Sequence, residues 1–254
     1  MTSDRNPAGG TGVATTRKTF AILETLKAEA GLSLAEITRR TDLSKSTVYR
    51  HVRTLVDMGY VIERDDDYYI GLRLLEIGEQ TRNREAGYTA AKRAVFELGQ
   101  EIDERALFLV EEALEGVYLH RYGRRSESLI GKRRPLHSLA SGKVVLAEWD
   151  DEKIDRLLAE KGLDRHTSRT ITDPDALADE LDRIRDQGYA VNDQEYMNGL
   201  RGVAVPVYTP DDELLGALGT FGPTSRFKDE YVRTDLVDRL RDKAGEITVT
   251  LAYG

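Results

Sequence analysis

Two serine-led helix starts in close succession, followed by two β-rich runs around an acidic tip, constrain this chain more than any other feature. Ser33 stands three residues before Glu36, the reciprocal cap in which hydroxyl and carboxylate each satisfy a backbone N–H at a helix start. The helix so opened turns Leu34 and Ile37 inward and Arg39 and Arg40 outward, and stops at Thr41-Asp42-Leu43. Ser44 begins the next polar cap, and Gly59 is the stop of a helix running to Met58. Val48, Val52, Leu55 and Val56 fall on one face of it. Upstream, Phe20, Ile22, Leu23 and Leu26 recur at helical spacing before Gly31, which predicts a first helix of about 14 residues from Ala14. Downstream, Tyr60 to Arg64 and Tyr68 to Ile70 flank Asp65-Asp66-Asp67 and read as a hairpin. Helix, helix, turn, helix, hairpin is the order of a winged helix-turn-helix.

The helix from Ser44 has what base reading requires: an apolar back and a donor-rich front. Ser44, Lys45, Ser46 and Thr47 lie at its N-terminus, where free backbone N–H groups also favour a phosphate. Tyr49, Arg50 and Arg53 follow one and two turns later, and Arg64 near the hairpin tip is placed to touch phosphate or minor groove. His51 is either a further contact or a surface residue. The window 44–58 has a net charge of +2 within a chain of net charge −8, so the positive field is local. The three aspartates at 65–67 would repel a phosphate and argue against deep insertion of the hairpin. The alternative is a three-helix unit with an ordinary solvated face.

Beyond Leu72 the texture changes. A connecting helix is predicted over 72–86 and a further amphipathic helix over about 89–102. Leu107 to Val110 and Val117 to Leu119 read as strands split by Leu114-Glu115-Gly116. A helix follows from Ser138 to Trp149, and another from the N-cap Asp173 with Pro174 at its first position to Gln187. Tyr189 to Val191 is a short strand, Val203 to Tyr208 and Leu214 to Phe221 form a hairpin, and Lys228 to Leu251 closes the chain as a helix. Pro206 assigns its strand to an edge or a bulge. The sum is an α+β fold with an antiparallel sheet in its second part. The division is an arm at 1–12, a DNA-binding domain at 13–71, the linker helix at 72–86 and a second domain at 87–254.

Composition narrows function by exclusion. With no cysteine, disulfide frameworks, Cys-ligated zinc, iron–sulfur clusters and thiol catalysis are out. The histidines at 51, 120, 137 and 166 lie far apart without a metal-binding pattern, and no cofactor or metal is expected. Ser141-Gly142-Lys143 looks like the tail of a phosphate loop, but the glycine five residues before Gly142 is missing, since position 137 is His; no Gly-x-Ser-x-Gly elbow exists, so no catalytic residue is assigned. No apolar run reaches membrane-spanning length and MTSDRNPAGGTG is not a signal peptide, so a cytoplasmic protein without membrane partners is expected. Arginine (27) far outnumbers lysine (10), and 45 residues are acidic. That balance suits either a salt-rich cytoplasm, where dense carboxylates keep a surface hydrated, or a GC-rich genome.

Three stretches carry a resemblance. SLAEITRRTDLSKSTVYRHVRTLVDMGYVIERDDDYYIGLRLLEIG resembles the N-terminal domain of the isocitrate lyase regulator (IclR) family of transcription factors. RRPLHSLASGKVVLAEW and GYAVNDQEYMNGLRGVAVPVYTPDDELLGALGTFGP resemble that family's two effector-domain signatures, in family order and spacing. Two departures stand out: Thr38 replaces a usual small Ala, and Asp42 a common Gly at the turn. The resemblance implies a winged helix-turn-helix joined by a helix to a GAF-like effector domain. It also implies a homodimer or dimer of dimers on a palindromic DNA site, with affinity set by a small, carboxylate-bearing metabolite. Residues Ser138, Leu139, Ala140 and Ser141 would present backbone donors at a helix start, and matching family positions add Asn192, Gly202, Gly219 and Phe221, with Asp193 as a further polar candidate. A plain N-cap without ligand is the alternative for the first group, and a turn role for Asn192 and Asp193. A metabolite-sensing adaptor that does not bind DNA is the alternative for the whole chain.

Overall fold

The computed structural model of the protein describes residues 12–29, 31–123 and 129–253. The arm at 1–12 lies outside the described residues except for Gly12. The chain divides into two compact units, the first ending at Thr81 and the second starting at Arg82.

The first unit runs α1 (Ala14–Lys27), β1 (Leu32–Ser33), α2 (Leu34–Thr41), α3 (Lys45–Asp57), β2 (Val61–Arg64), β3 (Asp67–Ile70) and α4 (Arg73–Arg82). The capping box forms: Ser33 Oγ accepts from the Glu36 N–H, and the Ser33 N–H donates to Glu36 Oε2 at 2.9 Å. Asp42 ends α2 with a φ of 51°, a left-handed conformation that Asp tolerates better than most residues. The Thr38 hydroxyl donates to the Leu34 carbonyl at 2.7 Å, which settles that departure within the helix itself. Asp65 and Asp66 take φ values of 50° and 68°, the pair of positive angles of a two-residue type I′ turn. β1 has no counterpart in the sequence expectations; Leu32 and Ser33 pair with Tyr68 and Asp67 and complete a three-stranded sheet. Ile22, Leu26, Ile37, Val48, Val52, Leu55 and Val61 form the core. The connecting helix stops at Arg82 rather than 86, because Glu85 is extended and caps a new helix.

The second unit comprises α5 (Ala86–Ile102), β4 (Arg105–Glu112), β5 (Glu115–Tyr122), β6 (Arg133–Arg134), α6 (Ala140–Ala147), α7 (Asp151–Glu160) and α8 (Pro174–Gln187). β7 (Ala190–Asp193), β8 (Leu200–Tyr208), β9 (Leu214–Pro223), α9 (Asp229–Tyr231) and α10 (Val237–Tyr253) complete it. A π-type turn at Val232–Leu236 joins α9 to α10 within the expected closing helix. One antiparallel sheet has the order β6-β5-β4-β9-β8-β7. Ala106, Phe108, Val205 and Leu218 face α5 and α10, whereas Leu107, Leu109, Ala204 and Ala217 face α6 and α8. With both faces covered, the central strands are apolar throughout rather than alternating, which hides their period in the sequence.

Two local expectations need correction. The β4–β5 turn is Ala113-Leu114, both at positive φ, and not Leu114-Glu115-Gly116. The helix expected over Ser138 to Trp149 spans only Ala140–Ala147, so Ser138 precedes its N-cap Leu139. Pro206 meets its expectation: β7 pairs with β8 only as far as Ala204, so among the described residues no strand is hydrogen-bonded on that side of Pro206, and a bulge follows at Val207/Tyr208.

Candidate nucleic-acid interface and effector cavity

α3 buries Val48, Val52 and Leu55 and leaves Lys45, Ser46, Tyr49, Arg50 and Arg53 exposed. Ser44 is its N-cap, with Oγ accepting from the Thr47 N–H at 3.3 Å and lying 2.8 Å from the Thr47 hydroxyl. Among the described residues no acidic side chain pairs with Lys45, Arg50 or the exposed Arg64. Arg53 differs: its guanidinium donates to Glu63 on β2 at 3.4 Å and lies 3.8 Å from Asp57. His51 is half-buried and hydrogen-bonded through Nδ1 to Thr19 on α1 at 2.8 Å, so it fastens α3 to α1. Burial, then Lys18 and Arg50, hold its pKa below the usual imidazole value.

In the second unit a cavity of about 690 Å³ opens between the start of α6, the β7–β8 segment and the sheet face made by β4, β5 and β9. Leu139, Ala140, Ser141, Asn192, Gly202, Gly219 and Phe221 all line it. Ser138 and Asp193 do not. Ser138 is fully buried, and its carbonyl accepts from Asn192 Nδ2. Asp193 is held by Arg169 and Arg201. Asn192 also accepts from the Glu195 N–H at 3.0 Å, so one side chain ties the segment after β7 to the approach of α6. No side chain caps α6, which leaves its first N–H groups unsatisfied by a hydroxyl or carboxylate. A Cβ on Gly142 would fall 2.1 Å from the Leu136 carbonyl, so only glycine lets the preceding turn fold back onto the helix.

Two groups here escape sequence reasoning. Arg105, Tyr118, Arg121, Arg134, Tyr196 and Arg201 also line the cavity. Lys143, 1% exposed, donates to Glu180 at 2.8 Å, to Glu195 at 2.7 Å and to the Val191 carbonyl at 2.7 Å. This buried ion network fixes α6 to α8 and β7, and burial raises the Glu195 pKa against the pull of Lys143. A Lys in an otherwise apolar helical run is the signal that could have revealed the network. The arginines give none, because their convergence depends on strand pairing.

The profile described as the bacterial transcriptional regulator IclR C-terminal domain matches residues 88–249, and that of the IclR helix-turn-helix domain matches 15–65. The chain belongs to the IclR family. It is 33% identical over 247 residues to the HTH-type transcriptional regulator KdgR of Escherichia coli, covering 95% of this chain and 94% of that one. The crystal structure of Thermotoga maritima IclR superposes with a TM-score of 0.81 at 29% identity, over 94% of this chain and 99% of that chain. A double mutant of the PobR inducer-binding domain from Acinetobacter, in complex with 3-hydroxybenzoic acid, gives a TM-score of 0.59 at 27% identity, over 63% of this chain and 96% of that chain. Membership makes this IclR-type chain a DNA-binding transcriptional regulator with a C-terminal effector-binding domain, not an enzyme. Among the described residues no helix is long and apolar enough to cross a membrane.

Proposed function

We propose that α3 is the base-reading helix, with Ser46, Thr47, Tyr49 and Arg50 against the major groove and Ser44 and Lys45 at its phosphate-facing end. Arg50, exposed and without an acidic partner among the described residues, is the observation that carries this assignment. Arg53 braces the hairpin as well as facing the DNA, and Arg64 meets backbone phosphate. Phe20, Leu72, Leu75 and Ile77 are exposed apolar side chains on and beside α1 and α4. A second copy of the chain is the occupant this surface suits, since paired reading heads match a palindrome with half-sites about one helical turn apart.

The effector is a small organic acid whose carboxylate rests on the uncapped start of α6, above Gly202 and Gly219. Support comes from the cavity lining and from the acid held by the PobR domain. Effector binding changes DNA affinity only through unequal affinity for two arrangements of the assembly, passed along α4 and the 83–85 break before α5. Calorimetric titration of 3-hydroxybenzoate into the protein, with and without bound operator, tests this. Unequal affinities support the coupling; equal affinities refute it.

A further inference from the structure

The cavity is lined by four arginines and, among the described residues, by no carboxylate, in a chain of net charge −8. Arg201 is already neutralised by Asp193 at 2.9 Å and Asp229 at 2.5 Å. Arg105 pairs with no carboxylate among the described residues, and its guanidinium lies 5.2 Å from the Phe221 ring centre; Arg134, opposite Gly116 on β5, lies apart from it, 6.0 Å from the Tyr196 ring centre. Burial, and then the neighbouring Arg105 charge, lower the Arg121 pKa, so two guanidiniums are crowded on one wall. Like charges gathered in a recess raise the local anion concentration.

Strand register places these groups. Gly202, Phe221 and Arg105 stand opposite one another across β8, β9 and β4. Ala204, Gly219, Leu107 and Arg121 form the next row on the same face. A Cβ on Gly202 would lie 3.9 Å from the Ala140 Cβ, so the first turn of α6 sits over the Gly202 end. Arg105 is two strands away, about 10 Å at ordinary strand spacing. Ser141, 5% exposed and lining the cavity, makes no side-chain hydrogen bond among the described residues. The cavity therefore has two separate anion-attracting ends, the α6 start with Ser141 and the arginine wall.

We infer that the effector carries two anionic groups at opposite ends of a skeleton of roughly four to six carbons, the first held at α6 and the second by Arg105, with Arg121 beside it. This rests on the reading of the cavity as the effector site. The second group is a carboxylate or a phosphate ester; both are oxyanions that a guanidinium fork matches.

Calorimetry on the full chain with matched probes decides the matter: adipate against hexanoate, and 6-phosphogluconate against gluconate. At least one acid with two anionic ends binds about tenfold tighter than its single-ended counterpart, and Arg105→Gln removes most of that advantage. Melting curves establish that the variant folds. The adipate pair carrying the effect points to a diacid, the gluconate pair to a phosphorylated acid. Single-ended acids binding as tightly as two-ended ones, or an advantage that survives Arg105→Gln, overturns the inference while leaving the effector site in place. Binding of no acid at all removes the acid-effector reading, and this inference with it.

Discussion

Arg50 and Arg53 lie on the same face of α3, yet their surroundings give them different work. Arg50 has no acidic partner among the described residues, whereas Arg53 is committed to Glu63 and Asp57. Arg50→Ala should cost about 1–3 kcal/mol of discrimination at the base it reads, measured by competition between the operator and single-base variants. Lys45→Ala should instead weaken all sequences alike and reduce the salt slope of binding by about one. The exposed reading face is legible in the sequence because its donors alternate with Val48, Val52 and Leu55 at helical spacing. The Arg53 pair is not, because Glu63 reaches it only once β2 has folded back. Histidines obey the same limit: His137 adjoins the motif that opens α6, but its partner, the Asp164 carbonyl at 3.0 Å, belongs to a distant loop. Burial lowers the His137 pKa below its usual 6.5. The unfolded chain therefore binds more protons there, so stability is full above about pH 6.5 and declines as pH falls below it. His137→Asn should flatten the decline in melting temperature between about pH 7 and 5, and an unchanged slope would assign it to other groups.

At the scale of elements, local chemistry is a good guide and tertiary chemistry is hidden. The capping box at Ser33, the left-handed Asp42, the Asp173-Pro174 start and the Gly188 stop all act through neighbours in sequence, and each stands where the sequence puts it. α7 is absent from the sequence expectations although Asp150 caps it, because its mixture of charged and apolar residues has the look of a surface segment. β1 is two residues long and exists only through its pairing with β3. The ion network of Lys143 joins residues separated by dozens of positions, so no window of sequence contains it. Lys143→Ala should destabilise the second unit by about 3–5 kcal/mol, since it leaves buried carboxylates without their cation. Chemical denaturation of the variant measures this, and a loss below about 1 kcal/mol would mean that Glu180 and Glu195 find water instead.

For the molecule as a whole, two charge patterns respond to salt in opposite senses. The whole chain has a net charge of −8, while α3 is cationic. Added KCl screens the repulsion among carboxylates and also the attraction between α3 and phosphate. Thermal stability should therefore rise from low to molar KCl while operator affinity falls; full stability in dilute buffer would speak for codon usage as the origin of the acidity. The candidate effector cavity is only half legible at this scale. Its α6 side follows from a linear motif, but its arginine wall is assembled by strand order.

The central claim is that α3 reads DNA through Arg50, and selection of bound duplexes from a random pool tests it even when the operator is unidentified. The wild-type chain should enrich a palindrome with half-sites about one helical turn apart, and Arg50→Ala should lose at least one base position from it. Enrichment of the same palindrome by both proteins, base for base, would contradict the assignment.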